Sequence, residues 1–357
     1  MSNNRYVRQT ILPGFGNDGQ QKLKSAKVLV VGAGGLGVPV LTYLNAMGVG
    51  TLGIVDADVV SLSNLHRQVL YTENMVGQAK VLAAKNQLHL QNSDTEILVH
   101  HTFLTVINAL EIIRDYDVVI DATDNFPTRY LINDACVILK KPFVYGALHS
   151  FEGQVSVFNY KGGPTYRCLF PEMPGPDAVP NCNEHGVLGI VPGIIGNLQA
   201  LEAIKIITGI GEVLSGVLLL FDGLSQRYQR MNLKLNPENL SIEQLATTYE
   251  FDCETPLTSI DAKDFQKLYD SGIPNLLDVR TDKEFTRQHI DGAKHIPLGE
   301  LKDRVGEINL DAPVYVICQS GIRSKKAIVQ LKELLPSSEF VNVLGGMNHI
   351  DVYALAH

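Results

Sequence analysis

The stretch VLVVGAGGLG at residues 28–37 limits the possible folds of this chain more than any other. An aliphatic, β-branched run meets a turn with glycines at 32, 34, 35 and 37, and VPVLTYLNAMG then continues in helical rhythm. A strand, a glycine turn and a helix in that order aim backbone N–H groups and a helix N-terminus at one point, the usual cradle for a phosphate group. The turn alone fits either an intact dinucleotide or a nucleotide that is consumed.

From Lys27 to about Gly146 short apolar runs (KVLVV, TLGIVD, TEILVHH, DVVIDATD, PFVYGA) alternate with helical stretches. This alternation predicts an α/β fold, a Rossmann-like doubly wound, mostly parallel sheet. GQVSVF and GVLLLFDG read as later strands, flanking a long Pro/Gly-rich loop at residues 161–186. The first domain is expected over residues 1–236, a polar aperiodic linker over 237–256, and a second, smaller α/β unit over 257–357. In that unit NLLDVR and PVYVICQSG read as strands and SKKAIVQLKELL as a helix.

Length and composition agree: 357 residues with 45% hydrophobic content suit two cores. A formal charge of -8 gives no support for a nucleic-acid or membrane-surface partner. The most apolar segment, residues 186–209, contains Glu202 and Lys205 and is interrupted by Pro192, so a buried helix is expected and not a span. The opening MSNNRYVRQT has no apolar core of a secretory leader. Five scattered cysteines, at 136, 168, 182, 253 and 318, suit a reducing compartment, and a cytoplasmic location is expected.

The surroundings of the glycine turn favour a consumed nucleotide. Asp56 lies where an acidic residue meets ribose hydroxyls. DADVVSLSNLHRQ then supplies Asn64 and Arg67, and GQAK supplies Lys80 near the next helix start. Two cations and an amide exceed what a pyrophosphate diester needs and suit a triphosphate whose pyrophosphate leaves. Asp124 of DATDN, at the carboxyl end of a parallel strand, is placed to bind Mg²⁺. Asp58 is read as orienting the loop after its strand.

GAGGLG, DxDxVxxSNLxRQ, GQAK and DATDN, in this order and spacing, resemble the adenylating domain of the MoeB/ThiF family, relatives of the ubiquitin-activating enzymes, over roughly residues 5–235. The resemblance implies adenylation by ATP of the C-terminal Gly-Gly carboxylate of a ubiquitin-like sulfur carrier. It places Gly35, Asp56, the segment Ser63, Asn64, Leu65, His66 and Arg67, with Lys80, Asp124 and Asn125, at the nucleotide. It assigns Mg²⁺ to Asp124, and to Arg8 a reach into the other subunit of a homodimer. Cys182, among Asn181, Asn183 and His185, matches the family's reactive cysteine, which forms an acyl or disulfide link to the carrier. Many relatives hold zinc with two C-x-x-C pairs. Here TYRC keeps only Cys168, and LNPENLSI has no cysteine, so no structural zinc is expected. Cys136, at helical spacing, reads as core.

The second unit contains CQSGIRS at 318–324. A strand delivers Cys318 to a loop ending at Arg323, with Ser320, Gly321 and Ser324 between or beside them. Loop N–H groups, a helix N-terminus and a guanidinium are expected to point positive charge at the sulfur and favour a thiolate or persulfide. Four residues separate Cys318 from Arg323, a smaller cradle than the C-x5-R loop of cysteine phosphatases, suited to sulfane sulfur. With LLDVRTDKEFTRQHIDGAKHIPLGEL and VLGGM, the unit resembles a rhodanese domain, in which Asp278 and Arg280 would be supports. Together the two resemblances imply adenylation followed by sulfur transfer from a Cys318 persulfide to form a thiocarboxylate, in molybdopterin or thiamine synthesis. The sulfur would come from a donor such as a cysteine desulfurase or thiosulfate. An adenylating enzyme acting on another carboxylate, such as one on a modified tRNA base, and a non-catalytic carrier-binding protein are the alternatives.

Overall fold

The computed structural model describes residues 4–174, 186–249, 257–272, 274–319 and 321–350. It divides into two compact units, Met1–Phe251 and Asp252–His357.

In the first unit, eight strands form one sheet: β1 (Lys27–Val31), β2 (Thr51–Val55), β3 (Glu96–His100), β4 (Val118–Asp121), β5 (Phe143–His149), β6 (Glu152–Phe158), β7 (Val217–Asp222) and β8 (Arg227–Asn232). Their order is β3-β2-β1-β4-β5-β6-β7-β8. Pairing is parallel from β3 to β5 and antiparallel beyond. The chain leaves β1 toward β2 and β3, then returns to lay β4 on the other side of β1. That reversal opens a crevice at the carboxyl ends of β1 and β4, where open α/β sheets bind ligands.

The helices are α1 (Val7–Thr10), α2 (Gly16–Ser25), α3 (Gly37–Ala46), α4 (Lys80–Gln91), α5 (Ala109–Arg114), α6 (Phe126–Ile138), α7 (Tyr166–Leu169) and α8 (Ile190–Thr208). Alternate residues of β1 explain how they layer. Val28 and Val30 enter a core with Leu41 and Leu44 of α3 and Ala203 and Ile204 of α8. Leu29 and Val31 enter a second core with Tyr130, Ile132 and Ala135 of α6. A strand buried on both faces reads as an unbroken apolar run, which is why KVLVV and VVID were legible. Helix α8 packs against α3, β5 and β6, and its Glu202 pairs with Lys205 and accepts the Leu214 N–H at 2.9 Å. Its length and apolar composition thus serve the core.

The glycine turn is held by close approaches. Gly32 has φ +100°, and a Cβ there would sit 2.6 Å from the Ala122 carbonyl oxygen. A Cβ on Gly37 would sit 1.9 Å from the Gly32 carbonyl oxygen, so α3 starts against the strand that feeds it. Gly37→Ala is therefore expected to force the helix off the turn and to cost about 3 kcal/mol. Urea unfolding of the two proteins checks this; an unchanged midpoint would show that the turn yields.

Two parts of the first unit escaped the sequence pattern. All six residues of β8 are exposed, so the strand has no apolar period and is held by its pairing with β7. The polar stretch from Pro237, expected as a linker, packs onto the unit as far as Tyr249. Tyr249 is 5% exposed and donates its hydroxyl to Asp134 Oδ2 at 2.6 Å, and Leu245 joins the same core. Burial of one aromatic on a buried acceptor anchors this stretch without any periodicity.

The second unit is a parallel sheet of β9 (Ser259–Ile260), β10 (Leu276–Asp278), β11 (Lys294–His295), β12 (Val314–Ile317) and β13 (Phe340–Val343), ordered β11-β10-β12-β13-β9. Helices α9 (Ala262–Ser271), α10 (Asp282–Arg287) and α11 (Ile322–Leu334) accompany it. Val314, Val316 and Cys318 share one core with Ala327, Ile328 and Leu331 of α11, while Ile317 faces another with Phe265 of α9.

Candidate functional site

The first site lies at the carboxyl ends of β1, β2 and β4. Asp56, just past β2, accepts the Ala33 N–H of the glycine turn at 2.8 Å through Oδ2 and the Asp58 N–H at 2.8 Å through Oδ1. Burial raises its pKa above the ordinary carboxylate value, opposed by the Lys80 charge and by these two N–H groups. The carboxylate thus fixes the turn to the loop after β2. Tyr71, which the sequence reading overlooked, adds a second tie by donating its hydroxyl to the Ala33 carbonyl at 2.9 Å.

Gly35 lets two groups close over the turn. A Cβ there would lie 3.1 Å from the Pro192 ring and 3.4 Å from Arg67 Cδ. Arg67 is partly exposed and donates to the Ser63 carbonyl at 3.3 Å, with His66 Nε2 at 3.4 Å. The side-chain hydrogen bonds of Ser63 and His66 stay within their own loop: Ser63 Oγ lies 3.1 Å from Ser61 Oγ, and His66 Nδ1 lies 3.0 Å from the Ser63 carbonyl. The Asn64 carbonyl accepts the Arg67 and Gln68 N–H groups, and Leu65 packs on the core below. These residues shape the loop that carries Arg67.

Lys80 opens α4 and is 5% exposed. Its Nζ pairs with Asp58 Oδ2 at 2.8 Å, and its N–H donates to the Asp58 carbonyl. Asp58 is therefore more than a loop cap, since it fixes the ammonium beside Asp56. Any phosphate reaching Lys80 shares it with this carboxylate.

Asp124 follows β4 and is exposed toward the crevice end of the sheet. Its loop is braced from below by Arg129 of α6, which donates to the Thr123 carbonyl at 2.9 Å and lies 3.9 Å from Asp121. The guanidinium also stands over the Phe126 and Tyr145 rings at 5.5 and 5.4 Å. Gln199 of α8 donates to the Asp121 and Val144 carbonyls at 2.7 and 3.3 Å. Neither residue was foreseen, although a glutamine inside an apolar helix was a visible anomaly. Asn125 is the N-cap of α6, its Oδ1 accepting the Thr128 N–H at 2.9 Å, so its side chain shapes the Asp124 loop. One exposed carboxylate near the glycine turn is an oxygen donor of the kind that would hold a hard cation such as Mg²⁺.

Arg8 stands elsewhere in its own chain. It is exposed on α1, and neighbouring Gln9 donates to the Met47 carbonyl at 3.0 Å, at the C-terminal end of α3. The glycine turn is at the other end of that helix, about 15 Å of axis away. Cys182, with Asn181, Asn183 and His185, lies outside the described residues.

Cys168 and the LNPENLSI segment do come together. Cys168 Sγ accepts N–H groups from Thr165 at 3.4 Å, Asn236 at 3.3 Å and the Asn239 side chain at 3.4 Å. Burial raises its pKa, but these donors, with the Thr165 hydroxyl, pull it below the ordinary thiol value. One sulfur ringed by donors does not fit a zinc ion, which needs four such ligands. Among the described residues no cluster of three or more His, Cys, Asp or Glu side chains is placed to hold a metal. Cys136 is buried among apolar groups, and burial pushes its pKa up.

In the second unit, β12 delivers Cys318 to the N-terminus of α11, where its sulfur accepts the Gly321 N–H at 3.1 Å and lies 3.5 Å from Ser324 Oγ. Gly321 adopts φ +87° to turn the loop into the helix. Ser320 lies outside the described residues. Asp278 and Arg280 form a buried pair at 2.7 Å, and Arg280 also reaches Gln319 at 3.3 Å, bracing the loop. Arg323 brings its charge to the sulfur without a hydrogen bond to it: the Glu284 hydrogen bonds at 2.7 and 2.6 Å raise its pKa, and charge on Cys318 adds to the rise. A guanidinium prefers a bidentate carboxylate within reach over a single thiol.

Residues 6–242 match the ThiF family and residues 261–352 the rhodanese-like domain. "Adenylyltransferase and sulfurtransferase MOCS3" of Aedes aegypti is 43% identical across 96% of this chain and 85% of its own length. The protein of the same name from Sus scrofa is 42% identical across 96% and 84%. Among solved structures, E. coli MccB with MccA-N7isoASN shares the fold, with a TM-score of 0.61 and 23% identity over 68% of this chain and 75% of that one. E. coli MccB with ATP superposes with a TM-score of 0.58 and 23% identity over 66% and 73%.

Proposed function

Because this chain belongs to the ThiF family and ends in a rhodanese-like domain, we propose that it adenylates the C-terminal Gly-Gly carboxylate of a ubiquitin-like sulfur carrier and then converts it to a thiocarboxylate. It is an adenylyltransferase and a sulfurtransferase, and its first reaction uses ATP. The observation that carries the proposal is one glycine turn tied to Asp56, overlain by Arg67 and met by the β4 end that leads into Asp124, with the Lys80–Asp58 pair beside Asp56, in the same chain as the Cys318 loop.

In adenylation a carboxylate oxygen of the carrier bonds to the α-phosphorus of ATP, and the bond to the β-phosphate oxygen breaks, releasing pyrophosphate. The turn's N–H groups and the start of α3 would receive the phosphates. Asp56 would accept from the ribose hydroxyls, while Arg67 and Lys80 would take up charge as pyrophosphate departs. Asp124 would hold Mg²⁺, which screens the phosphate charge when bound. In the second reaction the outer sulfur of a Cys318 persulfide would bond to the activated carbonyl carbon and AMP would leave. A thiol would then attack the remaining S–S bond at the Cys318 sulfur, freeing the thiocarboxylate and leaving a mixed disulfide for a second thiol to reduce. A donor such as a cysteine desulfurase or thiosulfate would reload Cys318.

The distance of Arg8 from its own glycine turn agrees with a homodimer in which each Arg8 serves the partner's site. A cytoplasmic setting suits thiols that must stay reduced.

ATP–pyrophosphate exchange tests the reading. Exchange is expected to depend on a carrier ending in Gly-Gly and to fall to background when the two glycines are removed. Absence of exchange with any Gly-Gly carrier would sink the proposal, and exchange with a tRNA in place of a carrier would favour the other carboxylate reading.

A further inference from the structure

Glu284 has no role in the reaction so far, yet both of its carboxylate oxygens are engaged. Oε2 accepts the Thr281 N–H at 3.0 Å, the Thr281 hydroxyl at 2.7 Å and Arg323 at 2.7 Å. Oε1 accepts the second Arg323 nitrogen at 2.6 Å. The Thr281 N–H bond, with the Glu284 N–H that donates to Thr281 Oγ1 at 3.4 Å, forms the capping box of α10, so the carboxylate is fixed from behind and cannot swing away without uncapping that helix. The hydrogen bonds from Arg323 hold Glu284 well below the usual carboxylate range, at about 2, so it stays ionised near neutrality. The other guanidinium at the loop, Arg280, is taken by Asp278 through three hydrogen bonds of 2.7 to 3.0 Å. Each arginine beside the Cys318 loop therefore arrives with its own carboxylate.

That arrangement bears on which sulfur donor the site accepts. Thiosulfate is a dianion. For its outer sulfur to bond to the Cys318 thiolate, its S–S bond must break and sulfite must leave with the bonding pair, so two charges need a cation on entry and on exit. A persulfide donor carries one charge or none at its sulfur, and its S–S bond breaks with a thiolate leaving. We infer that Glu284 is a specificity-determining residue, holding the Arg323 guanidinium so that the Cys318 site takes sulfur from a persulfide in preference to a free inorganic dianion. This rests on Cys318 being the sulfur acceptor and narrows the class of its donor.

The test uses the full chain, with cyanide as final acceptor and either thiosulfate or cysteine persulfide as donor. Glu284→Gln keeps an oxygen for the Thr281 cap and removes the charge that neutralises Arg323. Its KM for thiosulfate is expected to fall about tenfold with little change in kcat, while kcat/KM for cysteine persulfide stays within about twofold. Thr281→Val weakens the cap and leaves the ion pair, and should leave the thiosulfate KM where it was. An unchanged thiosulfate KM in a folded Glu284→Gln protein would overturn the inference. Equal loss with both donors, matched by Thr281→Val, would also overturn it by making Glu284 a helix cap alone. If Cys318 of the unaltered chain takes sulfur from neither donor, the reading beneath the inference fails, a result distinct from any shift in KM.

Discussion

Cys318→Ala is expected to lower sulfur transfer to cyanide by at least about a thousandfold with any donor, because it removes the atom proposed to carry the sulfur. ATP–pyrophosphate exchange should continue at the rate of the unaltered chain. Among the described residues the remaining thiols, Cys136 and Cys168, belong to the first unit, where one is buried in the core and the other is encircled by donors. Neither replaces a sulfur held at the start of α11 by the Gly321 N–H. Alanine fits the space, since Cys318 sits in a core of aliphatic groups, and thermal unfolding should shift by no more than the loss of one small buried side chain implies. Loss of both activities would mean that the two units do not divide the chemistry as proposed.

Asp124→Ala should do the reverse. Pyrophosphate exchange is expected to fall on the order of a hundredfold to a thousandfold, the effect of removing one charged group from a phosphoryl-type transition state. Thiosulfate-dependent sulfur transfer should be untouched. The neighbouring Asp121 makes a useful contrast. It is fully buried, accepts both the N–H and the hydroxyl of Thr123 and faces Arg129, so its replacement should reduce stability as well as rate. Asp124, exposed at the end of the same strand, can be lost without leaving a buried charge unpaired. The required measurement is exchange as a function of Mg²⁺ concentration. If Asp124→Asn saturates at the same concentration as the unaltered chain, Asp124 does not hold the ion.

The central strands and the glycine turn were legible because their constraints are local. KVLVV must be buried on both faces, and Gly32 and Gly37 are required where a side chain would strike backbone. What the sequence hid depends on pairings between distant positions. Lys80 reads as a free cation until Asp58, 22 residues earlier, is seen beside it. Arg323 reads as a positive charge for Cys318 alone until Glu284, 39 residues away, is seen to share it. A formal charge in a motif says nothing of its partner, and low-dielectric surroundings make the partner decisive. The stretch before Tyr249 was misread for a related reason, since one phenol buried against Asp134 leaves no period to detect.

The corner around Cys168 has a consequence for how this chain responds to its surroundings. Where an ion ties segments together, folding free energy includes the binding of that ion, and stability follows ion activity and chelator concentration through mass action. Thr165, Asn236 and Asn239 close on a sulfur through protons that the chain itself supplies. These hydrogen bonds are therefore intramolecular, and their strength depends on the concentration of no ion in the surroundings.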